Sequence, residues 1–275
     1  MIPAEFDYAR AASPDHALQL LAEHGEDAKL LAGGHSLLPL MKMRLAAPSV
    51  LVDIGRLREL EYVRDGGDHL AVGALTRHET LHLDRLAKEH CPLLAHTAGE
   101  VGDPQVRHVG TIGGSVAHGD PASDLPCVLL ALEATMVVRG PQGERSVPAG
   151  EFFTGLFETA LGPAELLTEI RVPKLDGGGW SYQKFNPRAQ DWALVGAAAV
   201  AHGGRTAVAL TNMGATPLRA TAVEQALASG GDPGEASRAA AEGTSPPSDP
   251  LGSAEYRRAL APVLVRRALK EALRS

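Results

Sequence analysis

The chain has 275 residues, 44% of them hydrophobic, with 26 Lys and Arg against 33 Asp and Glu for a formal net charge of −7. That length favours more than one core, and the negative balance gives no long-range attraction to phosphate backbones or anionic lipid, so nucleic-acid and membrane-surface binding are not expected. Two cysteines, Cys91 and Cys127, are too few for an iron-sulfur cluster or an all-cysteine zinc site and make no disulfide framework, which points to a reducing cytoplasm.

The opening residues have no basic segment followed by an apolar one, so no signal peptide is expected. No apolar run approaches the roughly 20 residues of a membrane span. The longest candidate, 193–201, breaks at His202-Gly203-Gly204.

Ser13-Pro14-Asp15 reads as a helix start, with Ser13 as cap and Pro14 at the first helical position, and Gly25 closes that helix. A buried strand at 29–32, a glycine turn at Gly33-Gly34, a short helix at 37–41 and a strand at 50–54 complete a small α/β unit. A hairpin follows, 60–63 and 69–72, turning through Asp65-Gly66-Gly67-Asp68. Thr76 and Glu79 have capping-box spacing, and apolar periodicity predicts a helix over 83–99. A second glycine turn interrupts at 110–115, Asp124 is placed to cap a helix over 125–132, and strands are predicted at 134–138 and 166–172. Beyond Gly177 the pattern changes to strands at 180–185, 193–201 and 206–213, the last two joined by Gly203-Gly204. A helix at 220–228, a polar surface loop at 229–252 and a helix at 254–273 end the chain.

Three constellations bear on chemistry. Ala32-Gly33-Gly34-His35-Ser36 and Thr111-Ile112-Gly113-Gly114-Ser115 each put two glycines before a serine, so backbone amides and a hydroxyl can face a phosphate or diphosphate. Ordinary turns are the competing reading. Neither matches G-x-G-x-x-G or the P-loop. His78-Glu79-Thr80-Leu81-His82 spells H-E-x-x-H, a zinc-hydrolase pattern, against which stand the capping role of Glu79 and the abundance of 11 histidines. His108, His118, Asp120 and Asp124 surround the second turn as candidate acid/base groups, and both cysteines read as core thiols.

Together, 32–39 and 110–126 with the blocks Tyr182-Gln183-Lys184-Phe185 and Arg188–Val195 resemble one family over nearly the full length. The chain is similar to the FAD-binding medium subunit of molybdenum hydroxylases, the carbon monoxide and xanthine dehydrogenase type with related aldehyde and N-heterocycle dehydrogenases. The resemblance implies an α+β chain: a vanillyl-alcohol-oxidase-like (PCMH-type) FAD-binding domain over 1–175, of two α/β subdomains 1–56 and 57–175, and a C-terminal domain over 176–275 with a three-stranded antiparallel sheet and helices. It implies that Leu31, Ala32, Gly33, Gly34, His35, Ser36 and Leu37 grip the FAD diphosphate from one side and Gly110, Thr111, Gly113, Gly114 and Ser115 from the other. Asp124 would bind the adenosine side, and Leu167, Lys184, Asp191 and Trp192 would lie toward the flavin ring. Trp192 stands where related subunits often carry Tyr, and His108 where Asn is common.

The implied partners are a molybdenum-cofactor large subunit and a small subunit with two [2Fe-2S] clusters, in a dimer of heterotrimers. Electrons would pass through FAD to an acceptor such as NAD, quinone or oxygen. A stand-alone FAD-dependent reductase or oxidase of the same fold is the alternative, and a zinc hydrolase using His78 and His82 a remote one. Valine at Gly33 or Gly114 is expected to abolish FAD retention in a folded chain, and replacing His78 or His82 to leave redox function unchanged.

Overall fold

In the computed structural model, which describes residues 2–274, the chain begins with β1 (Asp7–Arg10), α1 (Pro14–His24), β2 (Ala28–Leu31), α2 (Leu37–Lys42) and β3 (Val50–Asp53). Ser13 caps α1 through its side chain, which accepts from the His16 amide, Pro14 opens the helix, and Gly25 ends it at φ 58°. The strands pair in parallel in the order β1-β3-β2, and Ala17 and Leu21 of α1 pack on Val50 and Val52. Parallel pairing sends the chain out of β2 at the carboxyl edge of the sheet, where open α/β sheets hold ligands. The first glycine turn lies at that edge.

The second layer holds β4 (Val63–Asp65), β5 (His69–Gly73), α3 (His78–Leu83), α4 (Arg85–His90), α5 (Pro92–Gly99), α6 (Pro104–Val109), α7 (Ile112–His118), α8 (Asp124–Ala131), β6 (Thr135–Gly140), β7 (Gly143–Pro148), α9 (Ala149–Phe152), β8 (Phe153–Gly155), β9 (Glu158–Thr159) and β10 (Leu166–Pro173). Five strands form an antiparallel sheet in the order β4-β5-β10-β6-β7, and β8 pairs with β9. Beyond its first residue, Asp124, helix α8 is apolar all round, and it is buried from end to end. A bulge between Leu167 and Glu169 interrupts the β10–β6 pairing. Leu166 packs into the core of the first unit and Leu167 into the larger central core, so β10 joins the two.

The third layer is β11 (Gly179–Phe185), β12 (Val195–His202), β13 (Arg205–Thr211) and β14 (Leu218–Arg219), followed by α10 (Thr221–Ala228), α11 (Pro233–Ala236) and α12 (Ala254–Ala272). The three expected antiparallel strands are joined at one edge by the two-residue β14. Gly203 and Gly204 turn the β12–β13 hairpin at φ 57° and 76°, a conformation that favours glycine twice over. Strand side chains alternate between faces. In β12, Ala198 and Val200 enter the central core while Val195, Ala197 and Ala199 pack under α12, which is why its sequence is an unbroken apolar run.

Four local expectations are corrected. The helix over 83–99 is divided into α4 and α5, because Pro92 has no amide to continue one helix and instead starts the next. Thr76 and Glu79 make no capping box: the Thr76 hydroxyl donates to the Tyr62 carbonyl and Glu79 pairs with Arg107 at 2.9 Å. Asp124 is the first residue of α8 rather than its cap, and its carboxylate is engaged elsewhere. The segment 229–252 contains α11 and a 3-10 turn over Ser237–Ala241 whose Ala236, Ser237 and Ala240 are buried, small side chains that fit against neighbouring helices.

Candidate functional site

A cleft of about 760 Å³ is lined from all three layers. Every residue of the sequence-derived site lines it except Leu31, whose side chain lies 3.2 Å from where a Cβ on Gly34 would stand. The volume is at the upper end for a single bound small molecule.

The two glycine turns meet backbone to backbone. A Cβ on Gly33 would stand 2.3 Å from the Val109 carbonyl oxygen, and Gly34 sits at φ 75°. Their donors differ, however. The amides of Gly33, Gly34, His35, Ser36 and Leu37 donate to no group among the described residues, giving five consecutive open N–H groups. In the second turn Gly113 donates to Ala74 O at 2.9 Å, Gly114 to Thr111 Oγ1 at 3.1 Å and Ser115 to Thr111 O at 3.1 Å. That turn therefore contributes a close, Cβ-free wall and a Ser115 hydroxyl with no partner among the described residues, more than open amides. Such a donor array, with a wall that admits close approach, fits a diphosphate.

At the far wall one strand face builds an ion-pair network. Tyr182 and Lys184, two apart on β11, point the same way. Lys184 Nζ meets Asp124 Oδ2 at 2.8 Å with both side chains 6% exposed, and also donates to Glu100 O at 3.0 Å. The Tyr182 hydroxyl donates to Asp124 Oδ1 at 2.6 Å. Burial pushes the Asp124 carboxyl up, and the Lys184 ammonium and Tyr182 hydroxyl pull against it. Asp124 and Lys184, expected toward the adenosine and ring sides respectively, thus stand in direct contact at one place on the cleft wall.

Beside this network the turn 186–192 carries Asp191 and Trp192. The Asp191 carboxylate accepts from the Trp192 amide at 2.9 Å and pairs with Arg188, and these contacts hold it below the usual carboxylate range. The indole is 54% exposed at the cleft, which excludes a role as a core anchor. Asn212 fastens the turn by donating to Ala193 O at 2.8 Å.

The H-E-x-x-H residues are separately engaged. Glu79 holds Arg107, which with the 2.7 Å bond from Arg77 Nη1 to Val109 O fixes the approach to the second glycine turn. His82 Nδ1 lies 3.0 Å from Ala95 O. No group of three metal-binding side chains occurs among the described residues. His78 is buried, lines the cleft, and has an Nδ1 without a partner among the described residues. The acid/base cluster is only partly kept together: His108 Nδ1 turns back to Pro104 O at 2.6 Å, whereas His118 lies near enough to Asp120 for each to act on the other's charge and packs on Phe157 with centroids 5.1 Å apart. His118 lines the cleft, and sequence reasoning missed Phe157 beside it. Phe157, at φ 57° in the β8–β9 turn, carries no local signal.

Burial lowers the His78 imidazole to about 4, with His35 and Arg107 adding repulsion. The unfolded chain accepts a proton near pH 6.5 that the folded chain refuses. This contribution to stability is therefore intact above about pH 6.5 and lost as pH falls toward 4, amounting to about 3 kcal/mol. Urea midpoints of parent and His78→Leu from pH 7 to 4 check it: the variant's stability should decline less by about that amount, whereas parallel profiles would contradict the burial effect.

Two family models match the chain: the FAD binding domain in molybdopterin dehydrogenase over 4–175 and the CO dehydrogenase flavoprotein C-terminal domain over 180–272. The chain is 43% identical to the carbon monoxide dehydrogenase medium chain of Hydrogenophaga pseudoflava, covering 99% of this chain and 98% of that one. It is 39% identical to the 6-hydroxypseudooxynicotine dehydrogenase complex subunit alpha of Paenarthrobacter nicotinovorans, over 99% and 96% of the two chains. The solved carbon monoxide dehydrogenase of Hydrogenophaga pseudoflava that lacks the Mo-pyranopterin moiety superposes with a TM-score of 0.95 at 44% identity, covering 100% of this chain and 99% of the other. This likeness bears out the PCMH-type FAD-binding architecture with its C-terminal antiparallel sheet.

Proposed function

Because the chain belongs to the FAD-binding medium subunits of the molybdenum hydroxylases, we propose that it is the electron-exit subunit of a dimer of heterotrimers. Electrons withdrawn from substrate on a molybdenum-containing large subunit would cross the [2Fe-2S] clusters of a small subunit, reach FAD in the cleft, and leave to an external acceptor of the NAD, quinone or oxygen class. The observation that carries this reading is the row of open amides from Gly33 to Leu37 beside the Gly110 turn, in a cleft that Lys184 and Trp192 also line. Bound FAD supplies exchange between one- and two-electron carriers.

The remaining tasks belong to the chain. The amides of 33–37 and the hydroxyls of Ser36 and Ser115 bind the diphosphate. Lys184, its charge balanced by Asp124, fixes a hydrogen-bond donor at the far wall beside Asp191, and Leu167 closes the apolar side. No helix among the described residues is long and apolar enough to cross a membrane. Relatives of similar identity are named for carbon monoxide and for 6-hydroxypseudooxynicotine, which supports a substrate pocket on another subunit.

To test the reading, the assembled complex is reduced with dithionite and mixed in turn with NAD, a quinone and oxygen. With at least one of them the clusters should reoxidise rapidly in the parent and slowly in a complex whose cleft cannot take FAD. Equal rates in both would remove this chain from the electron path.

Trp192→Ala tests the ring end. An indole beside the flavin contributes on the order of 1 kcal/mol and quenches emission. The variant should stay loaded at high FAD concentration, bind severalfold more weakly and fluoresce more strongly. Unchanged emission and affinity would take Trp192 out of the site.

A further inference from the structure

We propose that His78 is a further cofactor-contacting residue, whose Nε2–H donates a hydrogen bond to the diphosphate of bound FAD at the junction of the two glycine turns. This rests on the reading of the cleft as the FAD site, adds a residue that neither the glycine motifs nor the Lys184 network includes, and departs from the expectation that replacing His78 leaves redox function unchanged.

Three observations carry it. First, the ring lies at the junction itself: the His78 amide donates to Gly110 O at 3.1 Å, and a Cβ on Gly110 would stand 2.9 Å from His78 Cδ2 and 3.1 Å from Nε2. A side chain at position 110 would therefore collide with that edge of the imidazole, and the bare glycine lets the second turn close against the ring without one. Second, His78 is 3% exposed and that residual surface is on the cleft wall. Third, Nδ1 is sealed without a partner, which leaves Nε2 as the nitrogen facing the cleft. A sealed N–H is harder to tolerate than a sealed lone pair, so the proton resides on Nε2. With the imidazole held neutral by burial near pH 7, the ring presents a fixed N–H donor and no positive charge. Few open amides remain in the second turn, so this donor supplies what its backbone does not.

The test compares His78→Leu, which fills similar space without a donor, with His78→Gln, which keeps an N–H. In the purified full chain, His78→Leu should weaken FAD binding about tenfold or more, the loss of one hydrogen bond to a charged acceptor, and Gln should restore most of it. The 31P resonances of bound FAD should move in His78→Leu while the visible flavin band stays put. In the parent, the side-chain 15N resonance of His78 Nε2 should shift on FAD addition, a readout available even if a variant fails to fold. Parent-like affinity and 31P shifts in His78→Leu, loss without rescue by Gln, or an unmoved 15N resonance would each overturn the proposal. Failure of the underlying reading has a different signature, full FAD retention by Gly114→Val.

Discussion

Gly114→Val should lose FAD by at least roughly a hundredfold, about 2.7 kcal/mol, while the chain stays folded. A Cβ at this position meets only Thr111 Oγ1, at 2.8 Å, and otherwise points into open space. Gly114 is the third residue of α7, where valine is no worse for the helix than glycine. The added methyl groups therefore act on the cleft rather than on the core. The neighbouring glycines behave otherwise. On Gly113 a Cβ would stand 2.5 Å from Ala74 O, and on Gly33 2.3 Å from Val109 O, both backbone atoms that cannot move aside. Valine at Gly33 should thus lower the thermal midpoint as well as FAD content, which corrects the expectation that either variant leaves the fold intact. FAD retained per chain after gel filtration, with the far-ultraviolet circular dichroism of each variant, separates the cases. Stoichiometric flavin in Gly114→Val would contradict the position assigned to the second turn.

The second large effect is expected at Lys184. Lys184→Met removes the ammonium 2.8 Å from Asp124 and strands a carboxylate with a 6% exposed side chain. Breaking a buried pair in this way costs about 3–5 kcal/mol, which for a chain of this size lowers the thermal midpoint by on the order of 10 °C. Combining it with Asp124→Asn removes the stranded charge and should recover part of the loss, since the amide still accepts from the Tyr182 hydroxyl. A double variant no more stable than the sum of the single losses would mean that the two residues act independently. FAD affinity should fall in Lys184→Met and stay low in the double variant, because the donor at the far wall is missing from both.

These contrasts reflect what was legible in the chain. The glycine turns could be read because close backbone approach demands glycine, and a serine after each pair adds a donor. The α1 cap at Ser13, the Gly203-Gly204 hairpin and the long C-terminal helix were equally local. The Asp124–Lys184 pair was not, since its members are 60 residues apart and Ser123-Asp124-Leu125-Pro126 satisfies the pattern of a helix start whichever way the carboxylate turns. The difference between the turns was also hidden: their sequences are nearly alike, yet the amide of Gly113 is claimed by Ala74, a residue from the end of a distant strand. The H-E-x-x-H pattern treats His78 and His82 alike, and only packing separates them, one ring lining the cleft with its Nδ1 sealed and the other bonded to α5. Helix breaks depended on a single missing donor at Pro92, which apolar periodicity does not register.

The most direct measurement is the visible spectrum of the chain purified with its native partners, with mass and metal analysis of the same sample. The predicted result is stoichiometric FAD on this chain, alongside a molybdenum-containing large subunit and an iron-sulfur small subunit, and selective loss of the flavin bands in the Gly114→Val assembly. An intact assembly carrying its molybdenum and iron but no flavin would contradict the account.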